Sequence, residues 1–260
     1  MKKLGFIGMG NMAGAIARGI VKSGFIDGSD IIAYDINPQQ LESIKEYGII
    51  IGESEKDIIN QSEIVFVGVK PQVVEKVLLP LKEELKGKAI ISIVLGYDFK
   101  KYNSLLDTST RHIFVMPNTP ALVLKGMSLI EDEHSLTHQE FEFTKQMFQS
   151  IGEVEIVPSH LMNVGGALSG CGPAFIYMII EALADGAVKE GMPRAMAYKL
   201  ASQTVLGSGT MQLKTGIHPG ILKDNVCSPG GSTIRGVEAL EKHGLRAALM
   251  DAISSSVHYK

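Results

Sequence analysis

The sequence predicts an α/β fold: a doubly wound parallel sheet in the N-terminal part, then an all-α C-terminal domain. Three observations carry this. Short apolar runs alternate with stretches of helical periodicity through the first part of the chain. The first run, Leu4-Gly5-Phe6-Ile7, passes directly into Gly8-x-Gly10-x-x-Ala13 and then a helix. Beyond Val157-Pro158-Ser159-His160 no convincing strand remains, only helical spacing punctuated by Gly and Pro, so the domains are placed at 1–157 and 158–260.

In chain order, Leu4, Phe6 and Ile7 read as a buried strand, and Met12, Ile16, Ile20 and Val21 mark the helix after the glycines. Strand, glycine turn and helix are what a dinucleotide pyrophosphate requires. Gly8 permits the sharp turn, Gly10 lets backbone approach the phosphates, and Ala13 lets helix pack on strand. The N-terminal part is therefore Rossmann-like. Ile31–Asp35 is a second strand ending in an acid, Asn37-Pro38 starts a helix, and Ile49–Ile51 is a short third strand. A helix over about Glu55–Asn60 leads to Ile64–Val69, apolar throughout as strands covered on both faces are. Lys70-Pro71 closes that strand, Val73–Leu81 carries helical spacing, and Ala89–Val94 and His112–Met116 are further strands.

In the second part, Pro173 to about Glu190 is apolar nearly all round, its charges Glu181, Asp185 and Lys189 lying on one stripe. Such a helix needs protein on every other side, which points to a second subunit. Met192-Pro193, His218-Pro219 and Ser228-Pro229 read as helix starts, and Leu245–Val257 as a terminal amphipathic helix.

Composition excludes several classes. A net charge of −3 gives no electrostatic footprint for nucleic acid or anionic membrane. Two cysteines, Cys171 and Cys227, cannot build a disulfide framework, and seven scattered histidines form no metal pair, so no metal is expected. A reducing cytoplasm fits. Leu161–Ile180 is uncharged and long enough to span a bilayer, but its Asn163, Ser169, Pro173 and four glycines favour a buried helix after a glycine-rich turn. Met1-Lys2-Lys3 resembles a basic leader, yet the stretch that follows is glycine-rich and belongs to the first strand–helix unit, so no export signal is expected.

Three segments look unlike scaffolding. Met116-Pro117-Asn118-Thr119-Pro120 follows a strand at the carboxyl edge of the sheet, where open α/β sheets bind ligands, and presents Asn118 and Thr119. A well-made turn would also account for it. Ser169-Gly170-Cys171-Gly172-Pro173 offers backbone N–H groups at a helix start, although close helix packing explains its glycines equally. Cys227-Ser228-Pro229-Gly230-Gly231-Ser232-Thr233 gathers backbone and hydroxyl donors at another helix start. Capping by Ser228 accounts for one of those residues, not for two glycines followed by two hydroxyls. No His–Asp pair, nucleophile elbow or paired carboxylates stand out. An enzyme of this composition must leave the difficult step to a cofactor and itself bind and orient, as hydride transfer to an electrophile allows.

Taken together, the glycine loop, Val69-Lys70-Pro71, Met-Pro-Asn-Thr-Pro-Ala, Ser-Gly-x-Gly-Pro-Ala and Leu222-Lys-Asp-x-Val-Cys-Ser-Pro-Gly-Gly-Ser-Thr-Ile234 closely resemble pyrroline-5-carboxylate reductases along essentially the whole chain. The resemblance implies reduction of the C=N bond of Δ1-pyrroline-5-carboxylate to L-proline, with NADPH or NADH as cofactor. It also implies a helical C-terminal dimerisation domain, often assembled further into a decamer. By position it implies that Gly8, Gly10, Asn11 and Met12 hold the pyrophosphate, and that Val69, Lys70 and Pro71 line the cofactor cleft. Asn118 and Pro120 fall near the nicotinamide. Asn225, Gly230, Gly231, Ser232 and Thr233 form the substrate pocket, with Thr233 the catalytic candidate that hydrogen-bonds the imine nitrogen.

Two residues depart from the family pattern. Asp35 ends the second strand where many members carry a small polar or basic residue; a carboxylate there suits an unphosphorylated ribose, so local physics favours NADH while the resemblance favours NADPH. Asn37 softens this only if its loop turns inward. Leu95 replaces a smaller residue before Gly96. Cys171 and Cys227 read as small pocket residues without a base to activate them. The competing readings are a β-hydroxyacid dehydrogenase-like oxidoreductase, whose catalytic lysine sits on a helix, and a nucleotide or metabolite sensor without turnover.

Overall fold

Lys2–Ile7 (β1) lies at the heart of an eight-stranded sheet because its apolar residues leave no face for water: Leu4 and Phe6 are fully buried on one side, Ile7 on the other. From it the chain alternates α1 (Asn11–Lys22), β2 (Ile31–Tyr34), α2 (Pro38–Lys45), β3 (Ile50–Ile51), α3 (Glu55–Gln61), β4 (Ser62–Val67), α4 (Val74–Leu78), β5 (Ala89–Ser92), α5 (Phe99–Leu105) and β6 (Arg111–Met116). These strands are parallel, in the order β3-β2-β1-β4-β5-β6, the arrangement of a Rossmann sheet. This computed structural model describes Met1–His258. The chain divides into two compact units, Met1–Gly170 and the remainder from Cys171.

Alternation along the strands builds a separate core on each face of the sheet. Leu4, Phe6, Ile64, Phe66, Ala89 and Ile91 pack with Ile16 and Ile20 of α1, Leu41 and Ile44 of α2, and Met147 and Phe148 further along. Ile7, Val65, Val67 and Ile90 pack on the opposite face with Ile58 and Ile59 of α3, Val74 and Leu78 of α4, and Tyr102 of α5. Phe6 and Phe66 are paired neighbours on β1 and β4, and their rings stack 4.5 Å apart. Each fully buried Leu, Ile, Val, Met or Phe among them contributes about 1.5–3 kcal/mol. Side chains cap the helix starts: Asn37 for α2, Ser54 for α3 and Asp98 for α5.

Two strands were not expected. β7 (Gly126–Glu131) pairs antiparallel with β6, and β8 (Gly152–Val157) runs parallel to β7, with α6 (His138–Gln149) between them. β8 alternates charged and apolar residues, as a half-exposed edge strand does, and Glu153 and Glu155 keep the edge soluble. Their signal was weak: Ser128 breaks the β7 run, and β8 carries acids at two of its six positions.

The backbone at Ser169–Pro173 also differs from expectation. The sequence places a glycine-rich turn here; the backbone instead stays helical from Ser159 to Lys189. α7 (Met162–Gly166) passes through a π turn, Ala167–Cys171, into α8 (Gly172–Lys189). The wider turn accommodates Pro173, which lacks an N–H, inside a continuous helix. The segment is therefore not a free helix start, and the anion site expected of its exposed N–H groups does not form in that way.

The second unit continues with α9 (Arg194–Thr215), α10 (Pro219–Asn225), α11 (Ser232–Lys242) and α12 (Leu245–Val257). Among its described residues only alanines, Ala184, Ala197 and Ala201, are buried hydrophobics, while Tyr177, Met178, Leu206 and Leu213 are more than half exposed. The helical run Ser159–Lys189 is long and apolar enough to cross a membrane by length and composition, and 11% of its most apolar window is buried in the chain. The expected burial of α8 is thus not supplied by its own chain.

Candidate functional site

The glycine loop between β1 and α1 is held open by its neighbours. Gly8 has φ +88°, a left-handed conformation, and a Cβ there would fall 2.7 Å from Val69 Cγ1 and 2.9 Å from the backbone of Gly68–Val69. Its N–H donates to the Tyr34 carbonyl, and the Gly68 N–H donates to the Ile7 carbonyl, so the ends of β1, β2 and β4 are laced together. Ala13 faces Gly68: a Cβ on Gly68 would meet the Ala13 methyl at 2.5 Å. The small residues thus pack α1 against the end of β4. Gly10 is the reverse case. Its φ is an ordinary −60°, and a Cβ added there meets no atom within 4 Å. No fold constraint requires glycine at this position. Gly10 is also the N-cap of α1, no side chain caps that end, and its first turn carries no acid. An anion thus finds open N–H groups and the positive end of the helix dipole. Asn11 and Met12 begin the helix, and Val69, Lys70 and Pro71 follow β4 with Lys70 and Pro71 exposed.

Asp35, just past β2, closes this loop from the other side. Its Oδ2 accepts the Met9 N–H at 2.6 Å and its Oδ1 accepts the Asn37 N–H at 2.8 Å. Asn37 does not turn inward: its Oδ1 accepts the Gln39 N–H as the cap of α2. Beside it Ile36 is 89% exposed, a bare apolar side chain where the chain leaves the sheet. Sequence reasoning did not single out Ile36; its signal is an apolar residue directly after the acid that ends the strand. The cradle fits a dinucleotide: an uncapped helix start for the pyrophosphate, a carboxylate for ribose hydroxyls, and Ile36 for an adenine face.

Asn118 sits just after β6 and is 8% exposed. Its amide nitrogen donates to the Ser169 carbonyl at 2.9 Å, and its amide oxygen accepts the Met127 N–H at 2.8 Å. Its side chain therefore ties the loop after β6 to β7 and to the π turn. Pro120 lies in the short 3₁₀ turn that follows, which ends on Leu124 in a left-handed conformation.

In the second unit, Ser228–Gly231 forms a turn closed by the Gly231 N–H donating to the Ser228 carbonyl at 3.0 Å. Pro229 is its second residue and Gly230, at φ +70°, its third, the pattern of a type II turn. Gly231 packs closely on this turn: a Cβ there would fall 2.4 Å from Ser228 Oγ and 3.1 Å from the Ser228 carbonyl oxygen. The helix expected to start at Ser228-Pro229 starts instead at Ser232, since the turn intervenes. Gly231 is its N-cap, Ser228 does not cap it, and its first turn is free of acids. Ser232 and Thr233 are exposed there, and Asn225 ends α10, seven residues before. Both cysteines are free, and no group of metal-ligating side chains occurs among the described residues.

A Rossmann sheet with an open glycine loop, followed by a helical unit that carries a second uncapped helix start, defines the class: a nicotinamide-dinucleotide oxidoreductase. Comparison with known proteins narrows it. Residues 3–96 match the family model described as NADP oxidoreductase coenzyme F420-dependent, and residues 159–260 match that described as pyrroline-5-carboxylate reductase dimerisation. The chain is 42% identical over 254 residues to a pyrroline-5-carboxylate reductase of Methanosarcina acetivorans, covering 97% of this chain and 94% of that protein. It is 40% identical to that of Escherichia coli K12, covering 97% and 95%. Among solved structures, pyrroline carboxylate reductase of Plasmodium falciparum, with NADP bound, is similar at a TM-score of 0.89 and 31% identity, covering 98% and 95%. The chain belongs to the pyrroline-5-carboxylate reductase family.

Proposed function

We infer that the protein reduces the C=N bond of Δ1-pyrroline-5-carboxylate to L-proline, the last step of proline biosynthesis. The observation that carries the reading is the pairing, in one chain of this family, of an open glycine loop with the Pro229-Gly230-Gly231-Ser232-Thr233 turn and helix start. When bound, NADPH or NADH supplies the hydride that reduces the imine carbon. The chain binds and orients. Gly8, Gly10 and the N–H groups of Asn11 and Met12 hold the pyrophosphate; Asp35 faces ribose; Val69, Lys70 and Pro71 wall the cleft, with Pro120 and Asn118 at its nicotinamide end. Asn118 acts there through its ties to Ser169 and Met127.

The N–H groups at the start of α11 hold the substrate carboxylate, helped by that helix's dipole. Asn225, Gly230, Gly231 and Ser232 shape the ring pocket. The Thr233 hydroxyl hydrogen-bonds the ring nitrogen and keeps the imine carbon aligned. A protonated imine is already electrophilic, so alignment is the larger part of its role. The exposed apolar helices of the second unit form a homodimer, and dimers assemble further into a decamer. The two free thiols suit a reducing cytoplasm.

The test is isotopic. Incubation with cofactor deuterated at the transferring position and pyrroline-5-carboxylate yields proline one mass unit heavier, with the label on the former imine carbon. Unlabelled product, or labelled product only from hydroxyacid substrates, overturns the assignment.

A further inference from the structure

We propose that Asp35 makes this enzyme selective for NADH over NADPH, because the carboxylate that shapes the glycine loop also bars a phosphate from the adenosine ribose. The proposal rests on the reductase reading above and deepens it. The Met9 N–H and the Asn37 N–H each bind one oxygen of the Asp35 carboxylate, at 2.6 and 2.8 Å. The side chain cannot rotate away without breaking both hydrogen bonds, one of which belongs to the phosphate-binding loop itself. Each oxygen retains a lone pair that suits the hydroxyls of an unmodified ribose.

A 2′-phosphate needs compensating positive charge, and the segment that follows β2 offers none. Asp35-Ile36-Asn37-Pro38-Gln39-Gln40 contains no Lys or Arg. Asn37 is spent capping α2. Arg18, the basic residue on the facing side of α1, donates to Ser43 Oγ on α2 at 3.1 Å and lies against Gly14. Asp35 takes part in no ion pair among the described residues. A dianionic phosphate would thus meet a fixed carboxylate at close range. The Plasmodium falciparum relative was solved with NADP bound.

Direct binding tests this without turnover. Titrating the purified protein with NADH and with NADPH, followed by nicotinamide fluorescence, should give a Kd at least about tenfold lower for NADH. Adenosine 5′-monophosphate should displace NADH at concentrations where adenosine 2′,5′-bisphosphate does not. Raising salt from about 0.05 to about 0.5 M should shrink the gap, because the discrimination is electrostatic. Asp35→Ser should weaken NADH and remove the preference, and Asp35→Asn, which keeps one acceptor, should do so with less loss of melting temperature. Equal or tighter NADPH binding by the wild type overturns the proposal, as does a preference unchanged in either folded variant. Binding of neither nucleotide would instead overturn the reductase reading beneath it.

Discussion

Gly8 and Gly10 stand two residues apart and are glycine for different reasons. Gly8 is held by the fold: its left-handed backbone and the contact with Val69 leave no place for a methyl group. Gly10 is not, since its backbone is ordinary and its outer side is open. Gly8→Ala should therefore lower the melting temperature as well as abolish cofactor binding. Gly10→Ala should melt within about 2 °C of the wild type while its Kd for NADH rises about tenfold or more, read by fluorescence titration. A Gly10→Ala protein that binds normally would mean the phosphates do not sit there. At the other helix start, Thr233→Ala should lower kcat with pyrroline-5-carboxylate and leave the NADH Kd unchanged; unchanged turnover removes Thr233 from the reaction. Gly8 and Gly230 were legible in the sequence because their turns demand a positive φ, and Gly10 because it stands between an apolar strand and a helix in the spacing a pyrophosphate uses. The use of Asp35 was only half legible: its place after β2 could be read, but not that its carboxylate holds the Met9 and Asn37 N–H groups, bonds set by how β2 ends beside the loop.

Among the elements, α6 shows how the sheet is extended past β6. Thr137 Oγ1 accepts the Glu140 N–H while Glu140 returns a bond to the Thr137 N–H, a complete capping box. Glu140 also takes a two-point ion pair from Arg111 on β6, at 2.7 and 2.8 Å. Burial pushes the Glu140 carboxyl up, and the bonds from Arg111 and Thr137 outweigh it, so its pKa is lowered. Thr137→Ala should cost about 1 kcal/mol in urea unfolding at neutral pH. Glu131 at the end of β7 is the opposite case. It is 1% exposed, and burial raises its pKa above 4.5 although it accepts the Phe99 N–H at 2.8 Å. An acid raised in the folded state gives its full stabilisation below the unfolded value and loses it as pH rises through the folded one. Glu131→Gln should therefore melt higher than the wild type at pH 7, with the gap closing as pH falls toward 4.5; a lower melting temperature at pH 7 would contradict this. These strands escaped the sequence reading because β7 and β8 interrupt their apolar pattern with Ser128, Glu153 and Glu155. The π turn escaped because glycine and proline spell a break by local preference, and here the helix continues through them.

For the molecule as a whole, the first unit buries large apolar side chains on both faces of its sheet, phenylalanines on one and Tyr102 on the other, while the second buries only alanines among its described residues. A helical unit with so little interior of its own gains stability from another surface, and residues 159–260 match a dimerisation family model. Sedimentation should give a mass at least twice the 28.1 kDa of one chain; a stable monomer would contradict the homodimer. The need for cover was legible from the narrow polar stripe of α8, whereas the extent of exposed surface emerges only from the folded chain. Reduction of a cyclic imine by this chain is read by following absorbance at about 340 nm as pyrroline-5-carboxylate is added to enzyme with NADH or with NADPH. Saturable cofactor oxidation is expected, with an equal yield of L-proline and a kcat/KM that is higher with NADH. Folded protein that binds nucleotide yet oxidises neither cofactor would contradict it.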